Sequence, residues 1–166
     1  METVSLNKSY GGTQGVYRHD STSTDTPMTF SVFVPDSTYG KKGPLPALTY
    51  LSGLTCTHAN VTEKGEFRAA CAQHDIIFVA PDTSPRGDDV ADDEGYDFGK
   101  GAGFYVDATQ EPFAKHYKMR DYIERELPDL IAANFPVDMS RQGIMGHSMG
   151  GHGALTIGLR LSLIHI

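Results

Sequence analysis

In the stretch GIMGHSMGGHGAL, residues 143–155, Gly146, Ser148 and Gly150 stand at the spacing G-x-S-x-G. That spacing places a serine on a tight reversal between a strand and a helix, with its hydroxyl presented as a nucleophile for acyl transfer. The glycines answer a steric demand, since a Cβ at either position would collide with neighbouring backbone in so tight a turn. In a chain with 18 glycines the bare pattern carries little weight, and its neighbours decide its meaning. An apolar strand candidate, residues 141–147, precedes it, and the small-residue helix MGGHGALTIGLR follows. Ser148 is therefore expected at the carboxyl end of a parallel strand. There the amide of Met149 and the dipole of the following helix favour developing negative charge.

A second stretch, YLSGLTCTHAN (50–60), follows the third strand candidate, where such a fold supplies the other oxyanion-stabilising amide. The rest of a serine relay is harder to find. In this arrangement an Asp or Glu and then a His follow the serine, but beyond Ser148 there is no acidic residue, and the histidines are His152 and His165. His152 lies one helical turn past the serine, where no acid on a later strand could support it, so it reads as packing under the elbow.

The elements that must position these residues are legible in part. Runs at 15–19, 28–35 and 47–53 read as strands separated by Gly- and Pro-containing breaks, an antiparallel opening. Residues 63–75 then read as a helix and 76–82 as a buried strand, before a long Gly- and Asp-rich loop. From Tyr117, an apolar stripe of Met119, Tyr122, Ile123, Leu127, Leu130 and Ile131 predicts a second helix, which Pro128 should kink or split. The unbroken apolar run Ile76–Ala80 indicates a sheet covered on both faces, hence a mainly parallel α/β core.

Composition narrows the partners. A formal charge of -7 opposes phosphate backbones and anionic membranes, and no apolar run is long enough to span a bilayer. Neither nucleic acid nor a membrane is expected as a partner, and the N-terminus lacks the apolar core of a secretory signal, so a cytoplasmic protein is expected. Cys56 and Cys71 fall in different elements without C-x-x-C spacing, which argues for free thiols. The acidic run 86–97 lacks the alternating register of a calcium loop, and His147 and His152 have the wrong offset to share a metal, so no metal is expected.

Three longer stretches are more specific: YLSGLTCTHANVTEKGEFRAACAQHDIIFVAPDTSPRG, GAGFYVDAT and GIMGHSMGGHGAL. Together they resemble the S-formylglutathione hydrolases, the esterase D type of serine thioesterase, from about residue 4 to Arg160. The resemblance implies an α/β-hydrolase fold with antiparallel N-terminal strands, no cofactor, S-formylglutathione as small-molecule substrate, side activity on carboxylesters, and a homodimer in some members. By position it implies Ser148 as nucleophile, the backbone amides of Leu54 and Met149 as the oxyanion hole, and Cys56 as a thiol beside the site that does not act as nucleophile.

The likeness stops after Arg160, so residues 1–160 are expected to form the N-terminal portion of one hydrolase domain, truncated after the elbow helix. Residues 161–166, LSLIHI, are expected to be a non-native tail. On that reading the Asp and His partners of Ser148 are absent, the chain is an inactive fragment, and the elbow strand is an exposed edge prone to aggregation. Two alternatives stay open: a general carboxylesterase or acyltransferase on the same elbow, and a non-catalytic hydrolase-like binding protein.

Overall fold

The computed structural model describes residues 1–40 and 43–161. Strands β1 (Glu2–Ser9), β2 (Gly12–Ser21), β3 (Thr26–Pro35), β4 (Leu45–Leu51), β5 (Ile77–Pro81) and β6 (Val137–Gly146) form a six-stranded sheet in the order β1-β2-β3-β5-β4-β6. Neighbours from β1 to β5 in that order pair antiparallel, whereas β4 pairs parallel with both β5 and β6. The sheet is thus mixed over the described residues, and the expected parallel character is confined to β5, β4 and β6. The buried run that suggested a mainly parallel core is β5, which owes its burial on both faces to its interior position.

Helices cover both faces. On one side Ile77 and Val79 of β5 join Phe30 and Val32 of β3 in a core completed by Met119, Tyr122, Ile123, Leu127 and Ile131, together with Met149 and Ile157 of α5 (Met149–Arg160). On the other side Phe33, Phe78 and Ala80 pack with Cys71 of α2 (Arg68–His74), and Phe67 stacks on Phe78 at 3.9 Å between ring centroids. Alternate residues of β3 and β5 thereby serve opposite cores, as the two-residue period of a strand requires.

Three expectations are corrected. The helix expected over 63–75 is two helices, α1 (His58–Lys64) and α2, because Gly65 ends the first and the chain re-enters at Phe67. Thr57 starts α1 earlier than the apolar pattern implied: its side chain accepts from the Ala59 amide, while Asn60 accepts from the Thr57 amide, a reciprocal cap. Pro128 does not split the second helical stretch. Between α3 (Met119–Asp121) and α4 (Leu127–Asn134), residues Tyr122–Glu126 form a π turn. The Leu127 amide reaches back to the Tyr122 carbonyl, which puts Pro128 in the first turn of α4, where a missing amide breaks no intrahelical bond.

The chain direction places the carboxyl ends of β4, β5 and β6 side by side, and the loops leaving them build the site. Among the described residues β6 has a neighbour on one side only, the edge position expected for the elbow strand. Apolar side chains beside it are exposed: Met145 on β6, and Leu155 and Leu159 on α5. Leu161 caps α5 through its amide to the Ile157 carbonyl. Residues 162–166, the greater part of the expected tail and including His165, lie outside the described residues.

Candidate active site

Ser148 occupies the junction between β6 and α5 with φ 57° and ψ -123°, a backbone conformation that a residue with a Cβ rarely adopts. The strain is held by bonds on either side. The His147 amide donates to the Leu51 carbonyl at 3.1 Å, tying the turn to β4, while the Gly150 amide donates to the His147 carbonyl and the His152 amide to the Ser148 carbonyl. The elbow glycines permit the packing: a Cβ on Gly146 would stand 2.2 Å from the Gly150 carbonyl oxygen. Ser148 is exposed and its side chain does not cap α5, which leaves the hydroxyl presented to solvent.

His152 is exposed on α5 and does not pack under the elbow as expected. It is Tyr105 that packs against the buried side of α5, its ring so close to Gly153 that a Cβ there would meet it at 2.6 Å. Tyr105 is buried, and burial pushes its hydroxyl far above the ordinary tyrosine range, so it stays protonated and donates a hydrogen bond to the Ser52 carbonyl at 2.8 Å. The preceding Phe104 and Tyr105 itself both have positive φ, at 48° and 55°, which is how GAGFYVDAT turns this ring inward.

The loop after β4 comes against the serine. A Cβ on Gly53 would lie 3.2 Å from Ser148 Cβ, so glycine there permits the close approach. Thr55, at φ 64°, donates its amide to the Gly101 carbonyl at 2.9 Å, and the Cys56 amide donates to the Gly53 carbonyl at 3.3 Å. Leu54, half-buried between them, engages its amide in none of the loop's backbone hydrogen bonds. Met149, first residue of α5, has no carbonyl within its helix to receive its amide. The elements that carry Ser148, Leu54 and Met149 thus meet at one end of the sheet. Cys56 is half-buried in the same loop, and Cys71 lies in the opposite core with its thiol pushed up to about 11 by burial.

Four participants in this architecture escaped the sequence reading. Asp82 and Thr83 at the end of β5, with Arg86, fasten the Leu54 loop from behind. His58 opens α1 beside them, and burial pulls its imidazole below the ordinary histidine range against the opposing effect of Asp82. The signal for Asp82 and Arg86 was their four-residue spacing, but that spacing marks a pair only on a helix, and here it spans a loop. The acidic run is largely exposed, and two of its carboxylates are engaged by their own loop: Asp92 accepts from the Asp93 and Lys100 amides, and Asp93 from the Gly95 amide.

A glycine-flanked serine between a strand and a helix, at the carboxyl end of parallel strands clothed by helices on both faces, defines the α/β-hydrolase class. The family model described as "Putative esterase" matches residues 21–162, and the chain belongs to that esterase family. It is 57% identical over 159 residues to an S-formylglutathione hydrolase of Paracoccus denitrificans (strain Pd 1222), a match covering 95% of this chain and 56% of the relative. To the S-formylglutathione hydrolase of Mus musculus it is 47% identical over 161 residues, covering 96% of this chain and 56% of that one. The solved S-formylglutathione hydrolase of Agrobacterium tumefaciens superimposes with a TM-score of 0.95 at 52% identity, over 98% of this chain and 58% of that structure. The chain therefore spans about 56% of the length of the curated relatives it matches.

Proposed function

We propose that this chain carries the nucleophile and oxyanion donors of a serine thioesterase that hydrolyses S-formylglutathione to formate and glutathione. The observation that carries the reading is the strained, exposed Ser148 lying against the Gly53–Leu54 turn, in a sequence 57% identical to a protein named for that activity. Ser148 Oγ attacks the formyl carbon, and its proton passes to a histidine base. That base and its acid are supplied by the part of the hydrolase that the relatives carry beyond the length matched here. The tetrahedral oxyanion accepts hydrogen bonds from the Leu54 and Met149 amides. Collapse expels the glutathione thiolate, which takes up the proton, and water activated by the same base releases formate from the formyl-serine. Water is the only co-reactant. The same reading places the enzyme in the cytoplasm, where glutathione keeps thiols such as Cys56 and Cys71 reduced.

The test joins residues 1–160 to the segment of the Paracoccus relative beyond the match and compares S-formylglutathione with p-nitrophenyl acetate. A higher kcat/KM for the thioester, lost in Ser148→Ala, supports the reading. Turnover of the acetate ester without the thioester identifies a general carboxylesterase, and a folded protein inert toward both is a binding protein.

A further inference from the structure

The geometry of the turn depends on groups outside it. The peptide between Gly53 and Leu54 is planar, so its carbonyl and its N–H point to opposite sides. Holding the Gly53 carbonyl therefore aims the Leu54 N–H. That carbonyl is held by the Cys56 amide at 3.3 Å, at the long end of hydrogen-bond distances, a restraint weak enough to need support. Support comes at the next peptide. The Cys56 carbonyl accepts from both the Thr83 hydroxyl and the Arg86 guanidinium, the latter at 3.1 Å, so both of its lone pairs are engaged.

These two donors are themselves fixed by one carboxylate. Asp82, 6% exposed, accepts from Arg86 Nε at 2.9 Å and from its terminal nitrogen at 3.0 Å, and its Oδ1 also accepts the Thr83 amide at 2.7 Å. A forked guanidinium–carboxylate pair of this kind sets direction as well as distance. From β5 the clamp reaches across to the loop leaving the adjacent parallel strand β4, which connects two elements that share no covalent neighbour at this end of the sheet.

We propose that Asp82, Thr83 and Arg86 are positioning residues that aim the Leu54 amide at the oxyanion by gripping the Cys56 carbonyl. The proposal rests on the reading of Leu54 and Met149 as oxyanion donors. None of the three touches the substrate; each acts through Leu54. Their effect belongs to the transition state, because the oxyanion forms there and the ground-state thioester makes less use of the amide.

Thr83→Val keeps the volume of a fully buried side chain and deletes the hydroxyl, Thr83→Ser restores it, and Arg86→Lys keeps the charge without the fork. In the completed enzyme, Thr83→Val should lower kcat by roughly 10- to 100-fold with KM changed less than about twofold, and Arg86→Lys should do so to a smaller degree. Thr83→Ser should return kcat to near the parent value. In the 166-residue chain itself, amide hydrogen exchange at residues 54–56 should rise about tenfold in Thr83→Val, while exchange in β5 stays unchanged. Parental kcat in Thr83→Val and Arg86→Lys, with Ser148→Ala inactive, would overturn the proposal. If the unsubstituted enzyme proves inert, the functional reading fails instead, and the exchange experiment then decides the clamp: no change at 54–56 refutes it.

Discussion

Gly150 sits directly under the Leu51 carbonyl: a Cβ on it would stand 1.9 Å from that oxygen, and 2.6 Å from the carbonyl oxygen of Ser52. Both neighbours are backbone at the end of β4, which is paired on both sides and cannot withdraw. Gly150→Ala should therefore destabilise the fold by about 3 kcal/mol or more, the upper end of the cost of overpacking. Gly151→Ala, in the same helix turn, would place its Cβ 3.4 Å from the Gly146 carbonyl and should cost less than about 1 kcal/mol. Urea unfolding of the two variants side by side checks the contrast, and equal midpoints would refute it.

The strain at Ser148, two residues before Gly150, predicts an opposite effect of side-chain removal. At φ 57° and ψ -123° a Cβ is unfavourable, and releasing such a residue is worth roughly 1–3 kcal/mol before the added chain entropy of glycine is subtracted. Ser148→Gly should be more stable than Ser148→Ala by about 1 kcal/mol, although both lack the nucleophile. Thermal melting of the pair measures this directly. A Gly variant less stable than the Ala variant would mean the turn is not strained.

How much of this was readable beforehand depended on whether the cause was local. The elbow was legible because its glycines and serine meet a steric requirement within five residues, and β5 because every one of its residues is buried. β1 was missed for the opposite reason: ETVSLNKS is exposed along most of its length as an edge strand, so no alternation marks it. The break at Gly65 was masked by apolar positions on both sides, and the expected Pro128 split was avoided by a π turn that no residue type announces. The Asp82–Arg86 clamp and the inward Tyr105 come from tertiary placement. Their partners, the Cys56 and Ser52 carbonyls, are backbone atoms that a sequence does not distinguish.

The two thiols should separate cleanly under alkylation. Cys71 is 5% exposed and burial raises its thiol to about 11, so the reactive thiolate is scarce and screened from reagent. Cys56 is half-buried in the loop that carries Leu54. Brief treatment of the native protein with iodoacetamide near neutral pH should label Cys56, and Cys71 should be labelled only after denaturation. Peptide mass spectrometry reads both, and native labelling of Cys71 ahead of Cys56 would contradict the packing of α2.

Acid sensitivity should centre on the contact between the β2–β3 hairpin and the π turn. Burial pushes the Glu126 carboxyl up, but hydrogen bonds from Ser23, Thr22 and Ser21 together outweigh it and leave the group below its ordinary range. The carboxylate accepts from the Ser21 hydroxyl and from the Thr22 and Ser23 amides, each at 2.8 Å, fastening the hairpin to the helix. A depressed acid contributes stability that is complete above its unfolded value, about 4.3, and disappears as the pH falls through the lower folded value. His19 beside it acts earlier. Burial lowers its imidazole despite the opposing attraction of Glu126, so stability is complete above the unfolded histidine value of about 6.5 and begins to fall below it. Glu126→Gln should cost about 1–3 kcal/mol at pH 7, because it weakens three charge-assisted bonds at a partly buried site. The same variant should lose less stability than the parent as the pH falls from the unfolded glutamate value of about 4.3 toward the lower folded value. Urea midpoints recorded across that range test both signs, and parallel acid limbs in parent and variant would show that the latch does not depend on the charge of Glu126.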